Sequence, residues 1–287
     1  MTTNTRWAAA FAVLAGLTLS TAANATWTFT GVDGGAANGA VGADGSGVSI
    51  EKVLGYATGT LANPSTASAA SWIQNANGLL YYAGSGLAMN SDGATTPNHA
   101  IDGTGNTEGV LLKFSQSVVL SNISLGYATN SSGTNSPVDV SLFRYTGLVA
   151  PNGTPSLGTV GSMAGWELVG NYGDLTKNGT NDVNTAAVDG SGAGGTGGKG
   201  SSWWLISAYN SKFGAVASQT RGLLDDGNDY FKILSVSGKC ASANAAGVCN
   251  SGGGSTSSVP EPASLALASV SLLGLFGIRR RNIGKQA

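Results

Sequence analysis

The stretch that decides the predicted fold is Val138-Asp139-Val140-Ser141-Leu142-Phe143-Arg144-Tyr145. Its side chains alternate, so that Val138, Val140 and Leu142 face one way and the residues between them face the other. This period of two residues is typical of a β-strand. The stretch therefore predicts a strand with an apolar side and a more polar side.

Similar strand-like segments recur along the chain between turns rich in Gly, Asn and Ser, at residues 109–114, 117–125, 166–170, 202–209 and 229–236. The sequence contains 45 glycines, each of which costs about 1 kcal/mol in a helix relative to alanine. The pattern predicts a mainly β protein, an antiparallel β-sandwich of jelly-roll character. One short helix of about two turns is predicted over residues 67–75.

The N-terminal 25 residues have the features of a signal peptide that forms a short signal helix. Arg6 precedes an uncharged apolar stretch at residues 7–19, and Ala23-Asn24-Ala25 supplies the small residues that signal peptidase requires. We therefore expect signal peptidase to cut after Ala25, leaving a mature chain that begins at Thr26. An uncut signal anchor is the alternative, although its apolar core is short for a membrane span.

The C-terminal residues 259–287 form a motif, an apolar span and a basic stop. The motif is Val259-Pro260-Glu261-Pro262, in which each proline favours extended geometry in the preceding residue. Residues 263–278 carry no charge, and a helix of this length spans roughly 24 Å. We expect one short transmembrane helix, with Arg279, Arg280 and Arg281 on the cytoplasmic side.

This order of motif, span and arginines resembles the PEP-CTERM sorting signal of Gram-negative bacteria. The resemblance implies processing by exosortase, a membrane-embedded protease, in an organism that makes extracellular polysaccharide. It predicts a protein that is anchored transiently in the inner membrane and then reaches the cell surface or the extracellular space. An ordinary C-terminal membrane anchor is the alternative.

Between the two targeting segments lie an ectodomain, residues 26–249, and a Gly/Ser-rich linker, residues 250–258. Residues 26–258 contain nine Lys or Arg and fourteen Asp or Glu, which gives a formal charge of −5. Such a mildly acidic domain lacks the basic patch that nucleic-acid binding requires, so no nucleic-acid partner is predicted.

The ectodomain itself resembles a family of exosortase-dependent bacterial surface proteins. The resemblance covers about 140 residues, and it is carried by residues 98–103, 108–114, 139–145, 202–210 and 229–232. It implies no enzymatic activity and names no ligand. It is consistent with the predicted sandwich.

Cys240 and Cys249 are the only cysteines, and both lie in the exported region. An even number of cysteines in an oxidising compartment predicts a disulfide that closes a small loop. A redox-active pair is the alternative, but the spacing is not Cys-x-x-Cys. A two-cysteine metal site would need histidine partners, and none lies nearby in the sequence.

Catalytic chemistry has little support in the sequence. The single histidine, His99, lies three residues before Asp102, but no Gly-x-Ser-x-Gly motif accompanies it. We therefore predict that the protein is not an enzyme, that it holds no cofactor or metal, and that His99 and Asp102 shape a turn. The segment Asp225-Asp226-Gly227-Asn228-Asp229 leaves two interpretations open, a calcium-binding loop or an Asp-rich tight turn.

Two functions from different classes remain. The first is a structural or interaction role at the cell surface or in the extracellular matrix. The alternative is a carbohydrate-binding module for extracellular polysaccharide, which would stack sugar rings on aromatic side chains. Trp203 and Trp204 are adjacent on a predicted strand, so they must point to opposite faces and only one of them can lie in the core. The other is the best single candidate for a ligand contact, and its burial against a loop or a partner is the alternative.

Overall fold

The computed structural model describes only part of the chain, namely residues 25–42, 46–60, 63–75, 78–91, 99–130, 133–134, 136–149, 153–179, 181, 183, 199–213, 220–221, 223–226 and 229–241. The chain divides into two units, Met1–Ser251 and Gly252–Ala287, and every described residue belongs to the first. The predicted signal helix over residues 1–24, the linker, the Pro-Glu-Pro motif and the transmembrane helix lie outside the described residues. No described segment is a helix of the length and apolarity that a membrane span requires.

The described residues are mainly antiparallel β structure, as predicted. The strands are β1 (Ala25–Thr28), β2 (Thr30–Gly31), β3 (Ala37–Asn38), β4 (Ile50–Thr60), β5 (Asn63–Pro64), β6 (Trp72–Gln74), β7 (Leu79–Tyr82), β8 (Gly86–Met89), β9 (Ile101–Asp102), β10 (Glu108–Asn130), β11 (Gly133–Thr134), β12 (Val138–Tyr145), β13 (Trp166–Leu175), β14 (Ser201–Ala208), β15 (Thr220–Arg221) and β16 (Tyr230–Cys240). A single turn of 3₁₀ helix, Ser211–Phe213, follows β14.

The helix predicted over residues 67–75 is wrong. Residues 67–69 form a bend and a turn, and Trp72–Gln74 is strand β6. This strand pairs with β4, where Thr58 lies opposite Trp72. A two-turn helix is marginal by itself, and the partner strand offers the same backbone groups a hydrogen-bonded alternative.

The long strand β10 joins the two halves of the sheet. Its first part, residues 108–114, pairs with β4 on one side and β14 on the other. Its second part, residues 118–129, pairs with β16. The register shifts between these parts, and the path β15-β13-β12-β14-β10-β16-β8-β7 is continuously hydrogen-bonded. Fourteen of the described strands thus form one open sheet with branches, and β2 and β3 pair with each other in a separate two-stranded sheet. The division into the two layers of a sandwich stays a prediction.

The main hydrophobic core collects side chains from both parts of β10. Leu112 and Phe114 come from the first part, and Leu120 and Ile123 come from the second. The ring of Phe114 packs edge-on against that of Trp27, with the centroids 5.0 Å apart. The largest fully buried side chains of this core are Trp27, Phe29, Phe114, Tyr172, Trp204 and Phe231. Burial of this apolar surface is the main force that holds the two ends of the sheet together.

A second buried cluster covers the opposite face of β12, β14 and the first part of β10. Its members are Tyr56, Trp72, Leu111, Phe143, Leu157, Trp203 and Leu205. Trp203 and Trp204 therefore lie on opposite faces, as the sequence predicts. Neither is exposed, because Trp203 is only 4% exposed and Trp204 is fully buried. The tryptophan outside the main core is therefore no ligand platform but is buried, which is the alternative that the sequence left open. Leu157 and Phe213, from outside the strands, pack on the second face and exclude water from it.

The alternation of β12 is also confirmed, but both of its faces are buried. Val140 and Leu142 belong to the main core, whereas Phe143 belongs to the second cluster. Asp139 and Ser141 share the face of Phe143 and are 4% and 0% exposed. A carboxylate is thus enclosed at the start of this strand, where alternation alone predicts only a more polar face.

Candidate functional site

The predicted processing residues fall mostly outside the described part of the chain. This holds for Ala23, for Val259, Pro260, Glu261 and Pro262, and for Arg279, Arg280 and Arg281. Ala25 is described: it begins β1, is 1% exposed and lies opposite Gly238 of β16. Cleavage after Ala25 would leave Thr26 as the first residue, still paired with Ser237.

The predicted disulfide is described at only one of its ends. Cys240 is the last residue of β16, is 8% exposed and lies opposite Val118 of β10. Cys249 lies outside the described residues, so the Cys240–Cys249 bond stays a prediction.

The single histidine lies in an aromatic cluster on a turn. His99 has a φ of 44°, and its ring stacks on Tyr82 at a centroid distance of 6.1 Å. The Nζ of Lys232 also lies over the Tyr82 ring, 3.9 Å from its centroid. Asp102 accepts a hydrogen bond from the Thr104 backbone N–H at 2.8 Å. These contacts agree with a role in shaping the turn.

Four of the six tryptophans, the side chains best suited to stacking on sugars, are buried. Trp27 and Trp72 are 0% and 8% exposed, in addition to the buried Trp203 and Trp204. Trp166 is half-buried, and its ring lies against that of Tyr145 at a centroid distance of 5.1 Å.

Three carboxylates converge at the start of β12. Asp139 from this strand, Asp225 from the segment 223–226 and Asp229 just before β16 each present an oxygen, and these oxygens lie within 4.8 Å of one another. Asp139 and Asp229 are buried, whereas Asp225 is exposed. We refer to these three residues as the aspartate triad.

Backbone hydrogen bonds hold the triad in place. The Asp139 N–H donates to Asp229 Oδ1 at 2.7 Å, and the Asp225 N–H donates to Asp139 Oδ2 at 2.8 Å. The Asp174 N–H donates to Asp139 Oδ1 at 3.1 Å. Three segments of the chain that are remote in sequence, around residues 139, 174 and 225–229, are thus fixed around Asp139.

A β-bulge brings Asp174 into this arrangement. Between Val138 and Val140 the partner strand β13 advances by three residues, from Leu175 to Tyr172. Asp174 lies in this extra step with a φ of 58°, in the left-handed region that aspartate tolerates better than most residues. Bulges often reorient side chains next to functional sites, and this one directs an N–H toward Asp139.

The environment of the triad disfavours negative charge. Burial raises the pKa of Asp139 to about 6, although N–H groups of Asp225 and Asp174 stabilise its ionised form. Burial, reinforced by the charge of Asp139, raises the pKa of Asp229 to about 8. Asp229 Oδ2 is buried without a hydrogen-bond partner. Within the described part of the chain, the ion pairs involve Glu51 and Glu167 and none of the three aspartates.

The sequence identified only part of this triad. Asp225 and Asp229 belong to the segment for which a calcium loop or a tight turn was predicted. Asp139 is 86 residues from Asp225 and 90 from Asp229, and sequence reasoning assigned it only to the polar side of a strand. No local signal marks it as their neighbour, because its position depends on the pairing of β12 with β13 and β14.

A contrasting carboxylate lies at the other end of the β12–β13 pair. Glu167 is directly opposite Arg144 and forms an ion pair with it at 2.7 Å. Its other oxygen is paired with Lys199. Burial opposes its ionisation, but the hydrogen bonds from Lys199 and Arg144 outweigh burial and lower the pKa of Glu167.

The C-terminal part of the chain matches a known family model. Residues 258–281 match the model of the PEP-CTERM protein-sorting motif, which confirms the resemblance seen in the tail. The motif implies exosortase-dependent export to the cell surface, with transient anchoring in the membrane. No curated protein and no solved structure matches the chain.

Proposed function

We propose that this PEP-CTERM protein is a structural or interaction component of the cell surface or extracellular matrix. The observation that carries the proposal is the match of residues 258–281 to the sorting motif. In the proposed route, signal peptidase cuts after Ala25 and the helix 263–278 holds the chain in the inner membrane. Exosortase then processes the Val259–Pro262 motif.

A non-enzymatic role is part of the proposal. Hydrophobic clusters pack on both faces of β12, β14 and the first part of β10. This packing favours a rigid scaffold over a catalytic cleft. The contribution of both parts of β10 to one core supports a jelly-roll-like sandwich as the finer description of the fold. The proposed Cys240–Cys249 disulfide would then fix the chain close to the end of β16.

Carbohydrate binding remains the alternative, but with different residues. Trp203 and Trp204 are buried, so they offer no ring face to a sugar. The half-buried pair Tyr145 and Trp166 is the better candidate, and the 86% exposed Leu148 lies close to it in the chain. Retention of the full chain on extracellular polysaccharide, lost in Trp166→Ala and kept in Trp203→Phe, would favour this alternative. No retention on any polysaccharide would remove it.

The processing route is tested by the mass of the mature protein. The full chain is expressed in a Gram-negative host with and without an exosortase. We expect the helix 263–278 to be absent from the mature protein only when exosortase is present. The double variant Pro260→Ala, Glu261→Ala should retain it, whereas the linker variant Ser255→Ala should be processed normally. A mature C-terminus beyond Ile278 in the exosortase host would contradict the proposal.

A further inference from the structure

We propose that Asp139, Asp225 and Asp229 form a calcium site on the exported part of the chain. The proposal rests on the geometry of the described residues and does not depend on the sorting route. The site would take a hard divalent cation through carboxylate oxygens, the ligand type that calcium prefers.

The spacing of the carboxylates suits calcium. Calcium binds oxygens at about 2.3 to 2.6 Å, so two oxygens on opposite sides of the ion are separated by roughly 4.8 Å. The three oxygens of the aspartate triad all lie within 4.8 Å of one another. Magnesium demands near-octahedral geometry and keeps several of its waters, so it suits a site with three carboxylate ligands less well than calcium does.

Asp229 distinguishes this arrangement from an ordinary Asp-rich turn. An aspartate that shapes a turn uses its carboxylate to accept backbone N–H groups, and Asp226 does so by accepting from the Ser211 N–H at 2.6 Å. Asp229 is 98% buried, as its exposed fraction is 2%. Its Oδ2 nevertheless has no hydrogen-bond partner. A buried polar atom of this kind calls for an explanation, and a bound cation supplies one.

The charge of the three carboxylates and the exposure of Asp225 to solvent also support a calcium site. Three neighbouring carboxylates of which two are buried are costly to ionise together unless a cation compensates their charge. The N–H groups of Asp174 and Asp225 already orient Asp139, so its carboxylate would need little rearrangement to bind an ion. Asp225 is exposed and leaves an open side, where water would complete the six to eight ligands that calcium takes.

The first test is the melting temperature of the full chain in detergent micelles, with chelator, calcium or magnesium. Calcium at ten times its Kd should raise Tm by about 3 to 6 °C relative to the chelated protein. Magnesium at the same concentration should give a smaller rise. An unchanged Tm with calcium would overturn the proposal, and an equal rise with magnesium would overturn the assignment to calcium.

Variants make the test specific. Asp225→Asn removes the charge of the exposed ligand and is not expected to affect folding, and Asp229→Asn removes the charge of the buried one. Each should lose most of the calcium-dependent rise in Tm. The matched control is Asp226→Asn, which changes a neighbouring carboxylate outside the triad and should keep the full rise. If only Asp226→Asn lost the calcium-dependent rise in Tm, or if Asp225→Asn kept it, the calcium would bind outside the triad. Either result would overturn the proposal.

A direct binding measurement complements the melting curves. Terbium, which binds to calcium sites, should become luminescent on the wild-type chain through energy transfer from nearby aromatic rings such as Tyr209. Calcium should displace it, and Asp225→Asn should weaken its binding at least tenfold. Terbium binding that is equally strong in Asp225→Asn would place the ion away from the triad and contradict the proposal.

Discussion

Partly enclosed carboxylates lie at both ends of the β12–β13 pair, but basic side chains compensate their charge at only one end. At one end Glu167 is held by Arg144 and Lys199, so the chain itself supplies the compensating charge. At the other end Asp139 faces Asp225 and Asp229, and the described ion pairs supply none. The charge at the first end is therefore compensated within the chain, whereas the second end requires protons or an external cation.

The largest expected effect is a pH dependence of the metal-free protein that originates at the triad. The pKa values of Asp139 and Asp229 are raised to about 6 and about 8, above the value of about 3.9 for an unfolded aspartate. The folded state therefore binds more protons in this range, and the free energy of unfolding falls as pH rises. We expect a loss of about 2 to 4 kcal/mol between roughly pH 4 and pH 8.

The measurement is urea unfolding in chelator across this pH range, repeated with calcium. Calcium should reduce the loss, because a bound cation stabilises the ionised carboxylates. Asp229→Asn should flatten the curve in chelator. A free energy of unfolding that stays constant or increases between pH 5 and 8 without calcium would show that the triad carries no uncompensated charge.

The second expected effect is a gain in stability on replacing Asp229, which near neutral pH must take up a proton or bear an uncompensated charge when the chain folds. In chelator near neutral pH, Asp229→Asn should raise the free energy of unfolding by about 1 to 3 kcal/mol, because a neutral amide of similar size replaces a carboxyl group that is costly to bury. In saturating calcium the order should reverse, with the wild type more stable. Thermal or urea unfolding of both proteins under both conditions checks this. Destabilisation by Asp229→Asn in chelator would mean that the carboxylate is compensated by the folded chain.

The smallest expected effect belongs to the paired end. Glu167→Gln should lower the free energy of unfolding by about 1 kcal/mol, because Arg144 and Lys199 lose a charged partner while the site stays partly open to solvent. The change should be insensitive to calcium. The control is Glu51→Gln, since Glu51 is more exposed and pairs with Lys113 at 3.5 Å.

The pH dependence of this end has the opposite sign. The pKa of Glu167 is lowered, so its stabilising contribution is present above the unfolded pKa and is lost as pH falls through the folded value. Urea unfolding below pH 5 should show a loss in the wild type that is smaller in Glu167→Gln. An equal loss in both proteins would mean that the ion pairs contribute nothing measurable.

The alternation of residues 138–145 was sufficient to predict strand β12 and to place Val140 and Leu142 in a core. Residues 67–75 show the limit of such local patterns, because pairing with β4 decides the conformation of Trp72–Gln74. For Trp203 and Trp204, alternation predicts opposite faces but does not decide whether the residue outside the main core is exposed or covered. Burial of Trp203 depends on Leu157 and Phe213, which lie outside the strands and are not part of the alternating pattern.

The candidate site likewise combines residues that are neighbours in the sequence with one that joins them only in the folded chain. Asp225 and Asp229 lie close together in the chain, so their carboxylates were visible as a cluster in the sequence. Asp139 joins them through strand pairing and a bulge that no short segment encodes. The unpartnered oxygen of Asp229 is likewise visible only once the surrounding chain is in place.

The sorting signal at residues 258–281 and the strand character of the exported part can be read from the amino-acid sequence alone, because both depend on contiguous residues and their spacing. Which faces are buried and which carboxylates meet depends on the folded chain. Burial and charge compensation depend on distances between groups that are far apart in the chain. Those distances exist only after the strands have paired and their side chains have packed.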